Sequence, residues 1–262
     1  MSARQYADRI ATAFRNEATT YLGEVAAPLR STGVEITVAA HEGDAAELII
    51  REAEQQADTM LAMTTHGRSG LGRWIMGSIT DKVLHGTTST MLIVRAKPEE
   101  SFSTDVSLGT IIVPLDGSPL AEESLPFVAA LAQPLGAKVS LVRVTPSLEE
   151  LIGAIETSQM EMTFTPGMPS PEDVATESDA TARTYLEGIK ANLENQGVSP
   201  IDTQVLHGLA ASAIVDLAQE SQDNLVAITT HGRSGAGRWV LGSVTDRVVR
   251  NSGGPVLVIR PG

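Results

Sequence analysis

The chain has 262 residues, no cysteine and a formal net charge of −13, from 19 Lys and Arg against 32 Asp and Glu. The missing cysteines exclude a disulfide scaffold, thiol catalysis and Cys-ligated zinc, and the acidic balance argues against nucleic acid, whose phosphates must be met by clustered Lys and Arg. With 42% hydrophobic residues and no apolar run near the roughly 18–20 residues that cross a bilayer, a globular protein with no membrane partner is expected; the opening Met1–Asp8 lacks a secretory apolar stretch, which reads as cytoplasmic.

In chain order, the pattern predicts a helix over Gln5–Leu29, a strand over Glu35–Ala40, and a helix over Ala45–Gln56 opened by Asp44 and Glu47 in capping-box spacing. A strand over Met60–Met63, a glycine-rich loop, a short helix and a strand over Met91–Arg95 follow. Polar, charged Lys97–Leu108 reads as a linker. Thr110–Leu115 is a short apolar run, and the Asp116-Gly117-Ser118-Pro119 turn supplies Ser118 as N-cap and Pro119 as first helical residue of a helix to about Gln133. Strand Lys138–Val144 comes next. The Pro- and Met-containing stretch between Pro146 and Asp179 is read as an excursion with a short helix at Leu148–Ile155 and a candidate lid. Then follow helix Ala180–Asn195, strand Asp202–Leu206, helix Ala210–Glu220, strand Leu225–Thr229, a second glycine-rich loop, helix Ser243–Arg250 and strand Val256–Ile259.

Two stretches are copies. Thr64–Arg95 overlies Thr229–Arg260 at an offset of 165 without a gap, with 17 of 32 positions identical, which marks a tandem duplication. At this offset Met1 falls on Pro166, so the first repeat has no counterpart of the strand, helix and strand between Leu108 and about Thr165. The expected division is an incomplete repeat over 1–97, a linker over 98–108 and a complete domain over 109–262. Alternation of strands and helices implies an α/β, doubly wound parallel sheet with helices on both faces.

Ligands of such sheets sit outside the strand C-termini, where the winding reverses. Asp116 stands there and can accept hydrogen bonds from ribose hydroxyls or an adenine amino group; it can equally make an Asx-turn. The segment from Thr229 through Gly232, Gly235 and Gly237 to Gly242-Ser243 can expose backbone N–H groups, and the following helix points its positive end at the same place, making an anion cradle to which Arg233 and Arg238 add charge. The bland alternative is that Ser243-x-x-Asp246 is a capping box. His231 and its copy His66 can simply bond backbone, and Trp74 and Trp239 can simply pack. No Walker A, G-x-G-x-x-G or His-Glu-x-x-His motif is present, and no nucleophile has an assignable base.

The strand ending Pro114-Leu115-Asp116, the later Gly232-x9-Gly242-Ser243 loop and the final Pro-Val-Leu-Val-Ile strand resemble the universal stress protein (UspA-like) family. The second repeat spans the full length of such a domain, and the first matches its later half. The resemblance implies a five-stranded sheet of order 3-2-1-4-5, of the adenine nucleotide alpha hydrolase-like type, and pairing through the last strand of each repeat, intramolecular or homodimeric. It further implies ATP, with or without Mg2+, as a regulatory ligand. Pro114, Leu115, Asp116 and the backbone around Val144 would hold the adenosine end, and Thr229, His231, Gly232, Arg233, Gly242, Ser243 and Val244 the phosphates. The family's nucleotide-binding motif is G-x2-G-x9-G-[S/T]; here Thr229, like Thr64 in the first repeat, replaces its first glycine and adds a Cβ there. A scaffold acting through protein contacts is the alternative that this threonine favours, and a slow ATP hydrolase is the second. The first repeat, with no counterpart of Asp116, is expected to keep its Gly67–Ser78 loop without holding ATP.

Overall fold

The computed structural model describes residues 2–56, 58–65, 76–95, 108–157, 169–230 and 241–260. They fall into two compact units, Met1–Glu52 and Ala53–Gly262. The first unit holds helix α1 (Ala3–Arg30) and most of α2 (Ala45–Ala53). Asp44 starts α2 as expected, its Oδ1 accepting from the Ala46 and Glu47 amides at 3.0 and 3.1 Å. The expected strand Glu35–Ala40 does not form. Its counterpart in the second repeat, within Ile201–His207, pairs with Lys138–Thr145, and among the described residues no strand pairs with 35–40.

The second unit contains β1 (Met60–Thr64), α3 (Ser78–Gly86), β2 (Thr90–Val94), β3 (Thr110–Pro114), α4 (Pro119–Glu122), α5 (Leu125–Leu135), β4 (Lys138–Thr145), α6 (Leu148–Thr157), α7 (Pro171–Asn195), β5 (Ile201–His207), α8 (Ala210–Gln219), β6 (Asn224–Thr229), α9 (Ser243–Asn251) and β7 (Val256–Ile259). One helix expected after Asp116 is two, α4 and α5. Pro126 lacks an amide and its ring excludes the carbonyl four residues back, so the chain must re-start at Ser124, whose hydroxyl donates to the Ala121 carbonyl at 2.7 Å. The segment expected to carry a lid begins with α6 and includes residues 158–168, which lie outside the described residues.

The strands form one seven-stranded sheet of order β1-β2-β7-β6-β3-β4-β5. Within the second repeat this is the 3-2-1-4-5 order, all parallel, with β3 at the centre. Alternation along the strands splits the core. Ile111, Val113, Val139 and Leu141 face Val128 of α5 and Leu186, Ile189 and Leu193 of α7, while Ile112 and Val142 face the other side.

β2 pairs antiparallel with β7, and Leu92 stands opposite Leu257, its own copy at the 165-residue offset. The repeats therefore meet about a local two-fold axis through this pair. Arginines tie the junction. Arg250 reaches Asp81 of α3 at 2.7 Å and Asp246 of its own helix at 2.8 Å. Arg260 is 5% exposed and donates to the Leu84 carbonyl and, at 3.3 Å, to the Thr230 hydroxyl; burial lowers its pKa to about 10. Among the described residues no helix is long and apolar enough to cross a membrane.

Candidate functional site

The winding reverses between β3 and β6, and a cleft of about 390 Å³ opens at the C-terminal ends of these strands and β4. Pro114, Leu115, Asp116, Val144, Thr229 and Val244, all expected from the sequence, line it together. Gly242 and Ser243 immediately precede Val244 at the start of α9. His231, Gly232 and Arg233 lie outside the described residues.

Asp116 leaves the end of β3 on the cleft side. Its Oδ1 accepts from the Ser118 amide at 2.8 Å, so the Asx-turn exists, made possible by Gly117 at φ 90°. Ser118 in turn caps α4, its hydroxyl accepting from Ala121 at 3.2 Å. Oδ1 thus serves this turn, with the carboxylate on the wall of the cleft. Partial burial raises the Asp116 pKa, but the Ser118 hydrogen bonds and the nearby Arg143 guanidinium outweigh it and hold the group below its ordinary 3.8. Arg143 itself belongs to the opposite face, where it lies 5.1 Å from the centre of the Tyr185 ring. The Tyr185 hydroxyl donates to Glu122 at 2.8 Å.

Strand geometry presents the Val144 peptide to the cleft. The Val142 carbonyl accepts from Leu115 of the β3 side at 2.8 Å, whereas the Thr145 carbonyl accepts from Gly208 on the β5 side. Backbone direction alternates residue by residue, so Val144 points its N–H and C=O the same way as Val142. There β3 has already ended, its ladder stopping at Pro114 opposite Val142. A donor and an acceptor therefore stand side by side above the last rung.

The capping-box reading of Ser243 is corrected. The N-cap is Gly242, at φ −60° and ψ 148°, and among the described residues no side chain caps the helix; Ser243 is already helical. The Asp246 carboxylate is engaged by Arg250, which offsets its charge in the first turn. The first amides of α9 thus carry the helix's positive end, with no capping side chain among the described residues. The Thr245 hydroxyl donates to the Thr229 carbonyl at 3.0 Å and pins the end of β6 to α9. The first repeat repeats this geometry: Gly77 is the N-cap at φ −62°, and Thr80 donates to the Thr64 carbonyl at 2.9 Å.

Sequence reasoning missed the apolar walls, Ala210 and Ile214 of α8 with Ile228 of β6, and the buried Thr230. A signal was present for β4, where Val142 and Val144 share one side of the strand. For α8 the apolar stripe is readable, but which strand ends it covers is not. Among the described residues no three His, Asp or Glu side chains gather as a metal site.

A family model described as the universal stress protein family matches residues 2–95 and 108–260. A universal stress protein of Methanocaldococcus jannaschii is 29% identical over 150 residues, 57% of this chain and 81% of its own length. One of Mycobacterium tuberculosis is 23% identical over 201 residues, 77% of this chain, and the match takes in only 61% of that protein's length. Among solved structures, a universal stress protein from Archaeoglobus fulgidus superposes with a TM-score of 0.65 at 19% identity, over 100% of this chain and 83% of that one, a likeness of fold. With a family model covering both repeats, the chain belongs to the universal stress protein family.

Proposed function

We propose that the second repeat binds an adenine nucleotide, ATP, as a regulatory ligand. The observation that carries this reading is the convergence on one cleft of the outward Val144 peptide, the Asp116 carboxylate and the start of α9. The Val144 N–H suits a ring nitrogen of adenine and its carbonyl suits the exocyclic amine. The Asp116 carboxylate suits a ribose hydroxyl, and the amides following Gly242 suit phosphate oxygens. The apolar side chains of Ile214 and Ile228 would cover the base and exclude water. Pro114, Leu115, Thr229 and Val244 would complete the walls, and His231, Gly232 and Arg233 would belong to the phosphate end by the motif. Any Mg2+ would arrive on the phosphates.

Titration calorimetry tests this. ATP should release heat on mixing with the full chain, and Asp116→Ala should weaken binding about tenfold or more, a charged hydrogen bond being worth about 1.5–3 kcal/mol. No heat at millimolar ATP would overturn the reading in favour of a scaffold. Steady phosphate release that disappears with Asp116→Ala would assign hydrolysis to the same cleft.

A further inference from the structure

The face of the sheet opposite the cleft carries a cation in a distinctive setting. The β3–β4 ladder ends with Pro114 opposite Val142, and the next residue of β4 is Arg143. Its guanidinium carbon lies 5.1 Å from the centre of the Tyr185 ring of α7, over the ring, a cation–π distance. The same group packs against Gly117, where an added Cβ would stand 3.2, 3.3 and 3.4 Å from Nη1, Nη2 and Cζ. The guanidinium therefore fills the space that a side chain at 117 would take, beside the turn that joins Asp116 to Ser118. The Glu122 carboxylate is taken up by the Tyr185 hydroxyl. Among the described residues, the Arg143 guanidinium itself makes no hydrogen bond or ion pair, so stacking and packing are what hold it.

We infer that Arg143 is a positioning residue for Asp116: stacked on Tyr185, its guanidinium backs the Gly117 turn and keeps the Asp116 carboxylate in place on the cleft wall. Arginine suits this task better than lysine, because a planar guanidinium can lie against a ring and a peptide together, while an ammonium is a point charge. The charged and titratable groups about the turn are Arg143 of β4, Glu122 of α4 and Tyr185 of α7. Burial and Glu122 raise the Tyr185 pKa and keep that hydroxyl neutral, so Arg143 is the cation among them. Partial burial raises the Asp116 pKa and the Ser118 bonds lower it; Arg143 adds to the lowering. At neutral pH the carboxylate is ionised with or without this help, so what Arg143 gives a ligand is the place of the acceptor. Without the guanidinium the turn has an open flank at a glycine, the residue with the most backbone freedom. The consequence for a ribose rests on the adenine-nucleotide reading of the cleft.

NMR of the full chain tests the inference without a ligand. In Arg143→Ala the Asp116 carboxyl should titrate at higher pH, and the Ser118 amide, which donates to Asp116, should exchange its hydrogen faster. Arg143→Lys should hold the titration down by its charge yet still quicken the exchange, having lost the plane. Tyr185→Leu leaves Arg143 and Asp116 in the chain and should quicken the exchange too; these two variants carry the test if Arg143→Ala does not fold. By calorimetry, Arg143→Ala should weaken ATP about threefold in the otherwise unaltered chain and leave Asp116→Ala no weaker, since it acts through Asp116. Unchanged Asp116 titration and Ser118 exchange overturn the inference, as does an equal loss of affinity in both backgrounds. If the unaltered chain gives no heat with ATP, the nucleotide reading falls and the NMR measurements alone decide the role of Arg143.

Discussion

Asp116 shows how one side chain serves two ends. Its inner oxygen fixes the turn into α4 through Ser118, and that same bond, with Arg143, keeps the carboxylate ionised below its ordinary pKa. A depressed folded pKa contributes stability that is complete above 3.8 and is lost as the pH falls through the folded value. Asp116→Asn should therefore flatten the acid limb of the stability curve, leaving the limb above neutrality unchanged, which thermal melts between pH 2 and pH 8 would read. Thr229 is the second instructive residue. Its carbonyl is held by Thr245 and its side chain lines the cleft where the family motif has glycine. Thr229→Gly should tighten ATP by a few-fold by removing a Cβ from the phosphate end, while Gly242→Val should weaken it by more than tenfold by crowding the first amides of α9. Calorimetry on both variants checks the pair. Asp116 and Gly242 were legible as candidate site residues because strand end and helix start are local signals. The Asx-turn and the Gly242 cap needed the structure, since Ser243-x-x-Asp246 fits two registers of helix start and only the backbone at Gly242 chooses between them.

At the scale of elements, the strands were readable as short apolar runs and their bounds shifted by a residue or so. The failures have physical causes. Pro126 split a helix whose apolar pattern runs on across it, and Glu35–Ala40 keeps the composition of a strand with no partner to make it one. The junction of α3 and α9 was invisible, because Arg250 and Asp81 are 169 residues apart. Arg250 bridges two carboxylates, and both the Asp81 and the Asp246 hydrogen bonds raise its pKa against partial desolvation. Its side chain is 38% exposed, so solvent screens the pair and Arg250→Gln should cost only about 1 kcal/mol, less at high salt. Denaturant titration at low and high ionic strength would show both effects.

For the whole molecule, the local two-fold axis at Leu92 and Leu257 makes one sheet out of two repeats. β7 is consequently an interior strand, and a charge on it is a test of folding. Val258 is fully buried, so Val258→Lys should lower stability by more than about 3 kcal/mol through an unpaired buried charge. Chemical denaturation would measure it; a loss under 1 kcal/mol would mean that β2 and β7 do not pair in solution. What the sequence by itself determined is the duplication, the α/β alternation, the strand order implied by family resemblance and the candidate residues Pro114, Leu115, Asp116, Val144, Thr229 and Val244 that line the cleft. Each of these is written in local pattern or in self-similarity at a fixed offset. The tertiary structure decided how the last strands pair, which face of β4 meets the cleft, and that Gly242 rather than Ser243 starts α9. Those outcomes depend on contacts between residues far apart in the chain, or on a backbone choice that several side-chain patterns allow, and a linear pattern does not encode either.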